Sequence, residues 1–187
     1  NLDPAIIGDY AAPNIEPGTW LIIPDGTREL INWVAPRITR SDPAVAKTYG
    51  PGYCGEVYEG PVGTATFIYP TVAHFLSGFD YDPGTNHNGL DFDGETGDPI
   101  YAVDSGVVVY AGWNDYGYGN MVVIDHGNGW QSLYAHLSSY NVECGSYAYQ
   151  GDVIAAMGST GNSTGSHLHF ELRSDEYGRV NPWNFLQ

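Results

Sequence analysis

The feature that most constrains the fold is the punctuation of the chain after Ala65. Short runs of β-branched and aromatic residues alternate there with clusters of Gly and Asn, and no stretch of about 12 residues keeps a helical period of 3.6 free of glycine. The runs at 99–103, 106–112, 121–125, 130–136, 152–157 and 168–173 read as strands. Gly127-Asn128-Gly129 tolerates positive φ and falls between two of them, so it reads as a hairpin turn whose flanking strands pair antiparallel. The expected fold over residues 64–187 is therefore mainly β.

The text before this region differs. Residues 25–63 scatter Pro36, Pro43, Pro51 and Pro61 among polar residues and read as a linker wrapped on the next domain, with at most one short helix near Arg28 to Val34. Residues 1–24 are short and apolar and end in Pro17-Gly18 followed by the strand-like Thr19-Trp20-Leu21-Ile22-Ile23-Pro24. This ending resembles the final third of a LysM repeat, a peptidoglycan-binding module; a plain strand and turn packed on the main domain is the alternative.

Charge narrows the partners. The formal net charge is −16, with six Lys and Arg against 22 Asp and Glu, a balance that repels a phosphate backbone and excludes nucleic acid. After Lys47 the only Lys or Arg residues are Arg173 and Arg179. No run of about 18 apolar residues exists to span a membrane, and the start at Asn1 lacks a basic-then-apolar leader, which suggests a processed or truncated product. Cys54 and Cys144 are compatible with one disulfide tying the early segment to the main domain in an oxidising compartment; two buried thiols are the other reading. The acidic, Tyr-rich, Lys-poor composition suits an exported protein, extracellular or in the cell envelope, and a monomer is expected.

Three clusters can carry chemistry. His87-Asn88-Gly89-Leu90-Asp91 sets an imidazole and a carboxylate four residues apart, about 13 Å in a straight strand, so the chain must bend within the cluster, with Asn88-Gly89 as the suitable place. In His167-Leu168-His169 the two-residue period puts both imidazoles on one strand face, so that both bind a metal, or one binds while the other handles a metal-bound water. Spacing leaves that choice open. The preceding loop, 158–166, carries three glycines that let the backbone approach a ligand, but neither the Lys nor the helix N-terminus of a phosphate cradle. Glu171 shares the face of His169 and either orients that histidine or pairs with Arg173. His136, in Tyr134-Ala135-His136-Leu137, taken alone reads as a hydrogen-bonded structural histidine, as does His126 beside the Gly127 turn; His74 has no visible partner.

In this order, His87-Asn88-Gly89-Leu90-Asp91, Tyr134-Ala135-His136-Leu137 and the stretch from Thr160 to Glu171 containing His167-Leu168-His169 resemble the LytM/lysostaphin-type zinc endopeptidases, peptidase family M23. Residues 97–102, Gly106-Val107-Val108 and Asn181-Pro182-Trp183 match family habits too. The resemblance implies antiparallel β-sheets forming a sandwich-like groove, a duplicated hybrid motif. It implies Zn2+ held by His87, Asp91 and His169, catalytic roles for His136 and His167, and hydrolysis of peptides in bacterial peptidoglycan. Three protein ligands would leave a position open for water, as catalytic zinc requires. The alternative is a non-catalytic wall-binding or amidase-activating module, a kind of relative that typically has lost zinc ligands; here all five positions are filled.

Overall fold

The structure is a computed structural model, and it describes residues 8–9, 12–13, 50–55, 59–72 and 80–187. The chain divides into two compact units, 1–32 and 33–187. In the first, β1 (Gly8–Asp9) and β2 (Ala12–Pro13) pair antiparallel; the LysM-like ending, the helix expected near Arg28 to Val34 and His74 lie outside the described residues. The second unit carries β3 (Leu90–Asp93), β4 (Pro99–Tyr101), β5 (Gly106–Asn114), β6 (Gly119–Asp125), β7 (Trp130–Ala135), β8 (Ser139–Tyr140), β9 (Tyr147–Ala148), β10 (Val153–Ala156), β11 (His167–Ser174) and β12 (Gly178–Val180). The only helical pieces among the described residues are the 3-10 turns Pro83–Thr85 and Pro182–Asn184, and no helix among them is long and apolar enough to cross a membrane. The fold is mainly β.

Every pairing between the named strands is antiparallel, and the isolated bridge between Phe67 and Leu186 is parallel. The larger sheet runs β12-β11-β7-β6-β5-β9, with β3 added to β11, and the smaller runs β4-β10-β8. The β6–β7 hairpin closes as its sequence requires, with Gly127 and Gly129 at φ +70° and +86°, a region that costs side-chain-bearing residues energy. β11 organises the site. Its first half pairs with β3, its last three residues pair with β12 on the same edge, and β7 runs along its other edge.

The alternation of β11 divides apolar from ionisable residues. Leu168, Phe170 and Leu172 are fully buried and join Val108, Val122, Ile124 and Tyr134 of the large sheet to Ile100, Ile154 and Ala155 of the small one, which makes the main core. Phe170 lies between the rings of Tyr134 and Phe92, with centroids 5.4 and 6.4 Å away; removing so large a buried ring costs about 3–5 kcal/mol. The opposite face carries His167, His169, Glu171 and Arg173 beside a smaller cluster of Val109, Tyr110, Met121, Val123, Leu133 and Ala135.

The described part of the early segment lies against β5. Cys54 N donates to Val109 O, Ala111 N donates to Gly52 O, and Tyr53 bridges to Tyr110, so an edge of β5 that β9 leaves open gains backbone partners. A disulfide joins Cys54 to Cys144, their Cα atoms 5.2 Å apart, and closes a loop of 90 residues. Loss of a cross-link over a loop of this size costs about 2–5 kcal/mol in the chain-entropy picture.

Candidate metal centre and its groove

The centre begins with strand register. Asp91 of β3 stands directly opposite His169 of β11, and a cross-strand pair brings side chains within reach of one another on one face. His169 Nδ1 donates to Asp91 Oδ1 at 2.7 Å. His87 comes from the loop before β3. Asp82 caps the Pro83–Thr85 turn by accepting from Gly84 N, Asn86 ends it with φ +64°, and the Asp82 and His87 backbones exchange two hydrogen bonds of 2.8 and 3.0 Å. The tight return swings His87 Nε2 to 3.1 Å from Asp91 Oδ1, closing a gap that an extended chain would leave far too wide.

The bend therefore sits earlier than Asn88-Gly89. The left-handed residue is Asn86, whereas Gly89 has no positive φ. Gly89 matters for space: a Cβ there would come 2.5 Å from Phe170 O and 2.8 Å from His169 Cε1. Something similar holds in the 158–166 loop. Gly161 packs on the backbone of Gly117 and Gly119, and Gly158 on Ser138 and His136, so these two glycines let loops approach each other and not a ligand.

The donor atoms of His87, Asp91 and His169 lie within 4.8 Å of one another, a set able to hold a metal ion. The chemistry of this donor set fits. His87 Nδ1–H donates to Asp80 O at 2.7 Å, so a neutral ring turns its Nε2 lone pair toward a carboxylate oxygen. That pairing is favourable only when a proton or a metal ion sits between the two atoms. Two nitrogens and a carboxylate are also the ligand types zinc prefers.

Electrostatics point the same way. Burial opposes the charge on Asp91, yet the hydrogen bond from His169 and the surrounding imidazoles outweigh it and hold its pKa below the ordinary value. For His169, burial again works against charge, but the hydrogen bonds to Asp91 and Glu171 prevail and push its pKa up to about 9. Without a metal, His169 thus donates from both nitrogens, Nδ1 to Asp91 and Nε2 to Glu171 Oε1 at 3.2 Å.

Two more histidines face the same point. His167 opens β11, with Nδ1 held by Gly165 O at 2.9 Å and Nε2 3.7 Å from Asp91 Oδ2. His136 follows the last residue of β7, and its φ of +60° re-aims the side chain out of the strand's alternation. Its Nδ1–H donates to Thr160 O at 2.8 Å, and its ring centroid is 4.7 Å from that of His167. Burial lowers the His136 pKa to about 4, with the neighbouring imidazoles adding to the effect and the Thr160 contact opposing it. The ring is neutral at pH 7 and its Nε2 is a proton acceptor.

All five residues line one groove of about 380 Å³, together with Asn86, Tyr116, Tyr118, Asn162 and Thr164. No described residue of 50–63 reaches it. His126 stays apart, fully buried, its Nδ1–H donating to Ser105 O and its Nε2 bonded to Ser132 Oγ. Tyr118 gave no signal in the sequence. Its hydroxyl donates to Glu171 Oε1 at 2.7 Å across 53 residues, a pairing set only by the fold.

Comparisons with known proteins point to one family. The family model described as "Peptidase family M23" matches residues 85–182. Lysostaphin of Staphylococcus simulans is 41% identical over 105 residues, 52% of this chain and 21% of that protein. Its solved structure, that of an antimicrobial peptidase, superposes with a TM-score of 0.59 at 35% identity, covering 65% of this chain and 53% of that one. A DD-carboxypeptidase/endopeptidase, Mpg, of Neisseria meningitidis is 46% identical over 87 residues, 46% of this chain and 20% of that protein. A zinc-containing peptidase from Vibrio cholerae shares the fold with a TM-score of 0.56 at 31% identity, covering 62% of this chain and 39% of its own. The matched stretch thus spans about a fifth of these curated relatives. With the family model covering more than half of the chain and its limits enclosing all five groove residues, the chain belongs to peptidase family M23.

Proposed function

We propose that this chain is a zinc-dependent endopeptidase that hydrolyses peptide bonds in bacterial peptidoglycan, with His87, Asp91 and His169 as zinc ligands and His136 and His167 as catalytic residues. The observation that carries this reading is the convergence of five side chains with their ring nitrogens already sorted. His87, His136 and His167 each donate Nδ1–H to a backbone carbonyl, which leaves Nε2 for the groove, while His169 presents Nδ1. Such outer hydrogen bonds fix tautomer and ring orientation in metal sites.

When bound, zinc supplies Lewis acidity to a water molecule and to the scissile carbonyl. The protein does the rest. Neutral His136 takes the water's proton at Nε2, the role of a general base working at neutral pH. His136 then delivers that proton to the leaving amine, and His167, whose Nε2 lies 3.7 Å from Asp91 Oδ2 beside the metal donors, faces the developing oxyanion and hydrogen-bonds it when Nε2 as well as Nδ1 carries a proton. The His169 proton at Nδ1 is the one given up on metal binding, so uptake of the metal releases a proton.

Peptidoglycan as substrate rests on membership of family M23, and relatives named as a glycyl-glycine endopeptidase and a DD-carboxypeptidase/endopeptidase support peptide-bond hydrolysis. The Cys54–Cys144 disulfide supports action outside the reducing cytoplasm. The test is to replace His169 or Asp91 by Ala, then measure zinc content and the clearing of a peptidoglycan suspension. Zinc and activity are expected to vanish together; full clearing by zinc-free His169→Ala would overturn the ligand assignment.

A further inference from the structure

Glu171 is fully buried and receives four donors. Oε1 accepts from His169 Nε2 at 3.2 Å and from the Tyr118 hydroxyl at 2.7 Å, while Oε2 accepts from Arg173 Nε at 2.9 Å and Nη2 at 2.8 Å. Arg179 Nε adds its charge from 3.7 Å. A carboxylate offers about four lone-pair sites, so this one is saturated and cannot turn. Both basic residues found after Lys47 in the sequence converge on it.

Stability alone does not account for the arrangement. Removing two charges from water costs several kcal/mol per ion, and a buried pair roughly breaks even with well-packed apolar residues of the same volume. What an apolar pair cannot supply is a fixed acceptor behind His169. We infer that Glu171 is a positioning residue for the metal centre: clamped by Arg173 and Tyr118, it holds the proton of His169 on Nε2 and thereby aims the Nδ1 lone pair at the metal position beside Asp91. The inference rests on the zinc-ligand reading of His87, Asp91 and His169. β11 provides the geometry, since its two-residue period sets His169, Glu171 and Arg173 in one row, running from the groove inward.

Three measurements separate the possibilities. Wild-type protein is first titrated with Zn2+ in competition with a chelator; failure to bind one equivalent defeats the ligand reading itself. In the zinc-loaded protein, long-range nitrogen–proton NMR correlations are expected to show His169 bound through Nδ1 and protonated on Nε2, and coordination through Nε2 would overturn the inference without touching the ligand reading. Glu171→Gln takes away the carboxylate charge that Arg173 faces and risks the fold, so Glu171→Met with Arg173→Met, which removes both buried charges at similar volume, is the second variant. Folded by circular dichroism, the double variant should bind Zn2+ about 10–100-fold more weakly, with Glu171→Asp in the wild-type background recovering part of the loss. Zinc affinity within twofold of wild type in the folded double variant would assign Glu171 and Arg173 a packing role only.

Discussion

His126, one residue past β6, and His169 of β11 are both buried and both use both ring nitrogens, yet they are driven to opposite charge states. His126 meets a carbonyl and a hydroxyl: Ser105 O and Ser132 Oγ, each at 2.9 Å. Burial there lowers its pKa, and the more distant Asp104 and Asp125 carboxylates do not reverse the effect. His169 meets two carboxylates, and they outweigh burial. Desolvation penalises either imidazolium; the charge of the hydrogen-bond partner decides which ring carries it. The first environment produces an inert structural histidine, and the second a ring whose proton a metal can replace.

The groove histidines should fail chemically and the interior one mechanically. His136→Asn is the sharpest form of this contrast, because Asn tolerates the left-handed backbone that His136 adopts but cannot take a proton. Peptidoglycan clearing is expected to fall about 10²–10⁴-fold, with zinc content and the thermal midpoint nearly unchanged. A thermal midpoint that drops while the rate per folded molecule holds would move His136 into the structural class. His126→Ala should do the reverse. It leaves Ser132 Oγ and Ser105 O short of a partner and opens a cavity beside Phe67, whose ring centroid is 5.7 Å from that of His126. A stability loss of about 3 kcal/mol is expected in denaturant melts, with the activity of the remaining folded protein intact; lost zinc in this variant would break the separation of the two regions.

Why the sequence disclosed so much of one region and less of the other is a matter of range. The strand runs, the Gly127–Gly129 turn and the shared face of His167, His169 and Glu171 follow from short periods of two residues, and the structure forms strands within each of the six runs. β3, β8, β9 and β12 were not legible: each is only two to four residues long and, unlike the equally short β4 and β10, none sits inside a longer β-branched or aromatic run. The bend that delivers His87 was expected, but its position depended on the Asp82 cap and the left-handed Asn86, and Gly89 answered to a close approach by β11 that no local pattern encodes. The tautomer controls are carbonyls of Asp80, Thr160 and Gly165, and carbonyls carry no side-chain identity to read. That His169 meets Asp91 with Nδ1 while His167 faces inward with Nε2 was likewise beyond spacing, which treats both imidazoles alike.

The smallest expected effect is the pH dependence of stability contributed by His126. In the unfolded chain its pKa returns to about 6.5, whereas burial keeps the folded value lower. Between these two values the unfolded state binds more protons than the folded one, so stability rises with pH. The contribution of the neutral ring is thus fully present above about pH 6.5 and is lost as pH falls toward the folded pKa, at up to about 1.4 kcal/mol per pH unit. His136, also lowered, tilts the wild-type curve in the same sense. His126→Gln keeps polar atoms at the site and removes only the titration there, so the two proteins share every other slope. Denaturant midpoints measured from pH 7.5 to pH 5 should therefore fall more steeply for wild type than for His126→Gln. Equal slopes would mean that His126 accepts a proton in the folded state as readily as in the unfolded one, and the contrast with His169 would then lie in the ligand geometry and not in the charge of the partners.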